Sequence, residues 1–182
     1  MSTFHNTYSI ESARLTSWDY SWPGWYYVTI CTKGMEYFFG DVVEGKINLS
    51  PMGEIADKCW RAIPEHFPGT ELDEFKVMPN HLHGIIIING ESRRDVACNV
   101  STQNAMSVIS PKPGSLPTVI RSYKSAVSNE CHTAGFCAFA WQPRYFDHII
   151  RNEADLHRIR LYIRNNVLQW DVDRNNQENL DR

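Results

Sequence analysis

The chain has 182 residues, 42% of them hydrophobic and 21% charged, with a formal net charge of −3, which fits one globular domain over 1–182 with room for a sizeable core. Its five cysteines (Cys31, Cys59, Cys98, Cys131 and Cys137) are odd in number and scattered without a Cys-x-x-Cys, which disfavours a disulfide framework and a cysteine-built zinc site. No cationic N-terminus leads into an apolar core and no apolar run reaches membrane-spanning length, so a reduced, cytoplasmic protein is expected.

Charge is unevenly spread. Residues 1–90 hold six Lys/Arg against eleven Asp/Glu, a balance of −5, whereas 112–170 hold eight against four, a balance of +4. A polyanion needs a local basic face rather than a basic protein, so this balance permits a nucleic-acid partner without requiring one.

In chain order, residues 1–24 read as an irregular lead-in. The aromatic and β-branched run over 25–32 is a strand, and Lys33-Gly34 turns it into a second strand over 36–43. A short strand follows over 47–49. Ser50-Pro51 is a capping serine with proline at the first helical position, opening a helix to about 66 with Ile55, Cys59 and Ile63 at helical spacing. Two further strands, 72–78 and 82–88, are interrupted by Pro79-Asn80. Residues 90–114 carry little periodicity and read as a long loop, a class that is usually functional or disordered. A helix announced by Ser115 and Pro117 sets Leu116, Val119, Ile120, Tyr123 and Val127 on one apolar face. The pattern turns aromatic and extended over 136–145. The last helix opens at Asn152, with Asp155 in capping-box position, and runs through Leu156, Ile159, Ile163 and Val167. The tail beyond 171 is polar. No internal repeat is present. Together these elements imply an α+β fold, a mostly antiparallel sheet with helices packed on one face.

The run Met78-Pro79-Asn80-His81-Leu82-His83-Gly84, followed by four isoleucines, carries the most chemistry. Side chains alternate along a strand, so His81 and His83 share a face. Two imidazoles converging on one point form half of a divalent-metal site. A pair of hydrogen-bonded histidines has the same spacing, so a third donor and a reactive group must come from elsewhere. The last helix offers them. Tyr162 and Asn166 lie about 40° apart around its axis and one turn apart, with Arg158 one turn to the other side. This row borders the apolar stripe. Asn166 brings a neutral oxygen, and Tyr162 a hydroxyl that equally well reaches water.

Three segments taken together resemble the single-tyrosine HUH (His-hydrophobic-His) transposases, and within them the REP-associated tyrosine transposases. They are Met78-Pro79-Asn80-His81-Leu82-His83, Trp141-Gln142-Pro143-Arg144-Tyr145-Phe146-Asp147-His148-Ile149-Ile150, and Tyr162-Ile163-Arg164-Asn165-Asn166. The similarity spans about residues 14–170 with the motifs in the same order. It implies a ferredoxin-like or RRM-like antiparallel sheet. It also implies a divalent metal, Mg²⁺ or Mn²⁺, on His81, His83 and Asn166, and Tyr162 as nucleophile. Val167 stands where relatives often carry proline. The implied partner is single-stranded DNA beside a hairpin, cut through a 5′-phosphotyrosine and rejoined. A homodimer with the tyrosine helix supplied in trans and a monomer both stay open.

Arg158, Arg121, Lys124, Arg144 and His148 are the candidate DNA contacts. Arg158 serves equally as a phosphate ligand or a surface ion pair, and Tyr145 and His148 as base-stacking groups or second-layer residues. Tyr123, central in its apolar stripe, reads as core. A third histidine two residues after His83 is absent (Ile85 stands there), as is a Gly-x-Ser-x-Gly elbow, which argues against histidine-triad and serine hydrolases. Two other readings remain: a retired transposase that binds DNA or RNA without cutting it, and a metal-dependent hydrolase of a small phosphate ester.

Overall fold

The structure is a computed structural model that describes residues 18–90 and 112–172. The lead-in up to residue 17, most of the 90–114 loop with Cys98, and the tail from 173 lie outside the described residues.

A four-stranded sheet forms the frame. It contains β1 (Gly24–Cys31), β4 (Thr70–Met78), β5 (His81–Ile88) and β6 (Phe146–Ile150), in the order β4-β5-β1-β6 with every neighbouring pair antiparallel. A separate hairpin pairs β2 (Gly40–Val43) with β3 (Lys46–Leu49). Helices α1 (Pro51–Arg61), α2 (Ile63–His66), α3 (Leu116–Thr133) and α4 (Glu153–Asn165) complete the chain, and a 3-10 turn over Val167–Val172 follows α4. With the hairpin set aside, strands and helices follow one another as βαββαβ, the ferredoxin-like arrangement expected from the sequence.

The apolar run of β5 has a cause in the layers. Leu82, Ile86 and Ile88 join Tyr26, Val28 and Ile30 of β1 in a core with Trp60 of α1 and Val119, Ile120, Tyr123 and Val127 of α3. Ile85 and Tyr27 face the other way, against Ile150 and Leu156, Ile159 and Ile163 of α4. The helices α1 and α3 thus pack on one face, and α4 covers the opposite one. A strand covered on both faces reads as a continuous apolar run rather than an alternating one. Gly84 belongs to the first face, where an added Cβ would stand 2.3 Å from Trp60 Cζ2. Glycine lets the indole lie directly on the strand.

Several elements differ from the sequence expectation. The helix expected to reach residue 66 breaks at Ala62, because Pro64 lacks an N–H and its ring clashes with the carbonyl four residues back. The strand expected over 36–43 begins only at Gly40. Phe39 spends its N–H on Pro79 O (2.9 Å) and its carbonyl on Ser50 N (2.9 Å), outside any ladder. The aromatic stretch before β6 is irregular, held by one bridge between Thr32 and Trp141, and the paired strand starts at Phe146. The caps of α1 and α4 form as read: Ser50 accepts from Gly53 N–H (3.1 Å) and Asn152 from Asp155 N–H (2.8 Å). The four described cysteines are free thiols; burial pushes Cys59 and Cys131 up to about 11. No helix among the described residues is long and apolar enough to cross a membrane.

Candidate active site

The site begins with strand register. Thr29 pairs with His83 and Cys31 with His81, which puts His81, His83 and Ile85 on one face with Cys31, Thr29 and Tyr27. Both histidines are fully buried, and their Nε2 atoms face each other at 2.8 Å.

The second ring nitrogen of each histidine is also engaged. His81 Nδ1 lies 2.8 Å from Asn80 Oδ1. An amide oxygen only accepts, so His81 carries its proton on Nδ1 and a lone pair on Nε2. His83 Nδ1 lies 2.8 Å from the Tyr27 hydroxyl and 2.9 Å from Thr29 Oγ1. Thr29 donates its own hydrogen to Tyr27 at 3.0 Å, so the two hydroxyls and His83 Nδ1 form one buried hydrogen-bonded cluster. A proton on one ring or a cation spans the 2.8 Å between the two Nε2 atoms. Outer partners that orient the rings in this way are what histidine metal ligands carry.

Helix α4 closes the site from above. The Tyr162 ring meets His83 edge-on, centroids 5.1 Å apart, and its hydroxyl stands 3.4 Å from His83 Nε2. Asn166 caps the helix and is 1% exposed. Four residues on, the Trp170 ring lies 6.0 Å from His81. The chain therefore contacts His83 through Tyr162 and His81 through Trp170, with Asn166 midway between these two residues in sequence. Among the described residues no cluster of three His, Cys, Asp or Glu could hold a metal ion. The two converging imidazoles are donors that suit a borderline divalent ion better than one demanding an all-oxygen shell.

The basic candidates separate. His148 lies on the same sheet face, in register with Tyr27, and its Nε2 contacts Asp155 Oδ2 at 2.7 Å. Arg158 pairs with the same carboxylate at 2.5 Å while most of its side chain stays in solvent. Hydrogen bonds from His148 and Arg158 hold the Asp155 carboxyl below its ordinary range. Arg121 and Lys124 are on α3, across the sheet from the histidines. Lys124 donates to the Gln142 carbonyl and lies 6.0 Å from the Trp141 ring, and burial holds its ammonium below the usual lysine value. Arg144 is exposed in the lead-in to β6. The structure thus gathers His81, His83 and Tyr162, buries Asn166 at the end of the tyrosine helix, places His148 and Arg158 against Asp155, and leaves Arg121 and Lys124 elsewhere. Sequence reasoning missed Tyr27, Thr29 and Trp170. Only strand register and the fold-back after α4 bring them to the site. Asn80 was within reach, since it directly precedes His81.

A cleft of about 530 Å³ lined by Trp22, Phe67, Ile88 and Lys112 sits at the far end of β5 and does not join this site.

The architecture belongs to a known class. A solved REP-associated tyrosine transposase bound to a REP hairpin superposes with a TM-score of 0.53 over 81% of this chain and 68% of that one, at 17% identity. The likeness is one of fold. No family model matches the chain. The chain belongs to the same family as an uncharacterized protein of Haemophilus influenzae, which is 35% identical over 166 residues covering 90% of this chain and 91% of that protein.

Proposed function

We propose that the protein is a metal-dependent transposase or endonuclease that cuts and rejoins single-stranded DNA through a 5′-phosphotyrosine on Tyr162. The observation that carries this reading is the tyrosine hydroxyl 3.4 Å from the nitrogen of a fully buried histidine pair. Outer hydrogen bonds hold both rings in place, and a hydroxyl aimed at the pair supplies the reactive group that two histidines lack.

His81, His83 and Asn166 would hold the divalent ion, which when bound supplies a positive charge to offset the one that develops on the phosphate. A tyrosine near its unperturbed pKa of about 10 is a weak nucleophile at neutral pH, so positioning does much of the work. Tyr162 Oη would bond to phosphorus, the P–O3′ bond would break, and the phenolic proton would finish on the departing 3′-oxygen. Because the phosphotyrosine conserves the ester bond, a second 3′-hydroxyl reverses the step and joins strands without an external energy source. The face of α4 keeps the tyrosine helix on its own chain's histidines, so this reading is of a site complete in cis. The substrate we assign is a single strand beside a hairpin; the solved transposase is bound to a REP hairpin.

The test is a denaturing gel of the protein incubated with end-labelled hairpin oligonucleotides bearing unpaired flanks, with Mn²⁺, Mg²⁺ or chelator. Metal-dependent cutting that is lost in His81→Ala is expected. Cutting unaffected by chelator and by His81→Ala would remove the metal role. DNA binding without cutting in any condition would favour a retired, DNA-binding protein.

A further inference from the structure

We propose that Phe146 is a stacking platform for an unpaired DNA base flanking the phosphate at Tyr162; this rests on the strand-cleavage reading above. Five large apolar side chains among the described residues are exposed, Trp22, Val43, Phe146, Leu161 and Leu168, and of these Phe146 alone belongs to the four-stranded sheet. It is 44% exposed, on a sheet face whose other apolar residues α4 covers.

Its position ties it to the site. Phe146 is in register with Thr29, and Thr29 with His83, so His83, Thr29 and Phe146 form one row across β5, β1 and β6. Adjacent strands lie about 4.8 Å apart, which sets Phe146 roughly 10 Å from His83 along that row. A chain of rings links the two. Tyr27 meets Phe146 at 6.2 Å, His83 at 5.7 Å and Tyr162 at 6.4 Å. The inner edge of Phe146 is thereby fixed on Tyr27 while its remaining surface stays open. Exposed Arg144 precedes it by two residues, a cation suited to a phosphate beside a stacked base. An unpaired base offers a π-face of any sequence to such a ring, whereas a base inside a duplex does not.

The experiment measures binding by fluorescence anisotropy in a Tyr162→Phe background, which separates it from cutting. The probes are a labelled DNA hairpin with an unpaired flank and the same hairpin with a blunt end. Phe146→Ala is expected to weaken binding of the flanked hairpin roughly tenfold, the size of one lost base–aromatic stack, to leave the blunt hairpin unchanged, and to be rescued by Phe146→Trp. Melting of each variant checks that the edge strand remains folded. Equal binding of the flanked hairpin by Phe146→Ala and its parent, or the same loss on the blunt hairpin, overturns the platform. A platform effect in a protein that never cuts DNA would stand, and would count against the cleavage reading alone.

Discussion

Tyr162 and His83 are 79 residues apart in the chain, yet the tyrosine hydroxyl stands 3.4 Å from His83 Nε2. Two kinds of packing bring them together. The apolar stripe Leu156, Ile159 and Ile163 presses α4 onto Tyr27, Ile85 and Ile150, and a register shift in β4 between Leu72 and Phe75 turns Asp73 and Glu74 toward the helix. Arg160 then binds Asp73 through two hydrogen bonds, at 2.9 and 2.6 Å, and Arg164 pairs with Glu74. Arg160 and Arg164 therefore serve first to dock the helix, while Arg158 pairs with Asp155 within it.

Tyr27→Phe removes the hydroxyl from His83 Nδ1 and leaves the ring packing intact. Outer partners of a metal-bound histidine are worth about 10–100-fold in metal affinity, and Thr29 remains as a second partner. Isothermal titration with Mn²⁺ is expected to show affinity lowered by about tenfold, with the thermal midpoint nearly unchanged. Unaltered affinity would mean that Tyr27 packs beside His83 without orienting it.

Gly84→Ala tests the close seat of Trp60 on β5. With the new Cβ at 2.3 Å from Trp60 Cζ2, the indole or the strand must shift, and overpacking of this kind costs about 1–3 kcal/mol. Urea denaturation of the variant is expected to show that loss. A midpoint equal to the parent's would show that Trp60 has room to move aside.

How much of this was legible in the sequence depended on whether the cause was local. Ser50 and Asn152 announced helix starts through their own side chains, and the spacing of His81 and His83 fixed a shared face before any partner was known. The Tyr162–Asn166 spacing set both on one side of α4 in the same way. What could not be read were features set by contacts distant in sequence. β6 is short and becomes a strand only by pairing with β1. Phe39 looked like strand but gives its backbone to Pro79 and Ser50. The second layer on His83 depends on the β1–β5 register, which no local pattern encodes. Lys124 carried a charge suited to DNA, yet its helix packs on the face of the sheet away from the histidines.

Acid should loosen α4 through Asp73. The hydrogen bond from Arg160 holds the Asp73 carboxyl below its ordinary value, so the folded pKa lies below the unfolded one of about 3.9. The stabilisation is then fully present above about pH 4 and is lost as pH falls through the folded value. Asp73→Asn lacks this contribution at every pH. At neutral pH it is expected to be less stable by about 1–2 kcal/mol, the low end for charged hydrogen bonds because Arg160 is partly exposed. Chemical denaturation at pH 7 and pH 3 checks this: the gap between parent and variant should shrink on acidification. A gap of equal size at both values would remove the pair from the acid response.

The most direct measurement is the identity of the residue that becomes joined to DNA. The protein is incubated with flanked hairpin DNA and Mn²⁺, the DNA is trimmed by nuclease, and tryptic peptides are read by mass spectrometry. The expected result is a nucleotide remnant on the peptide containing Tyr162, joined through its 5′-phosphate, and absent from both Tyr162→Phe and His81→Ala. DNA cut with no remnant on Tyr162, or a remnant carried by another residue, would contradict the assignment of the nucleophile.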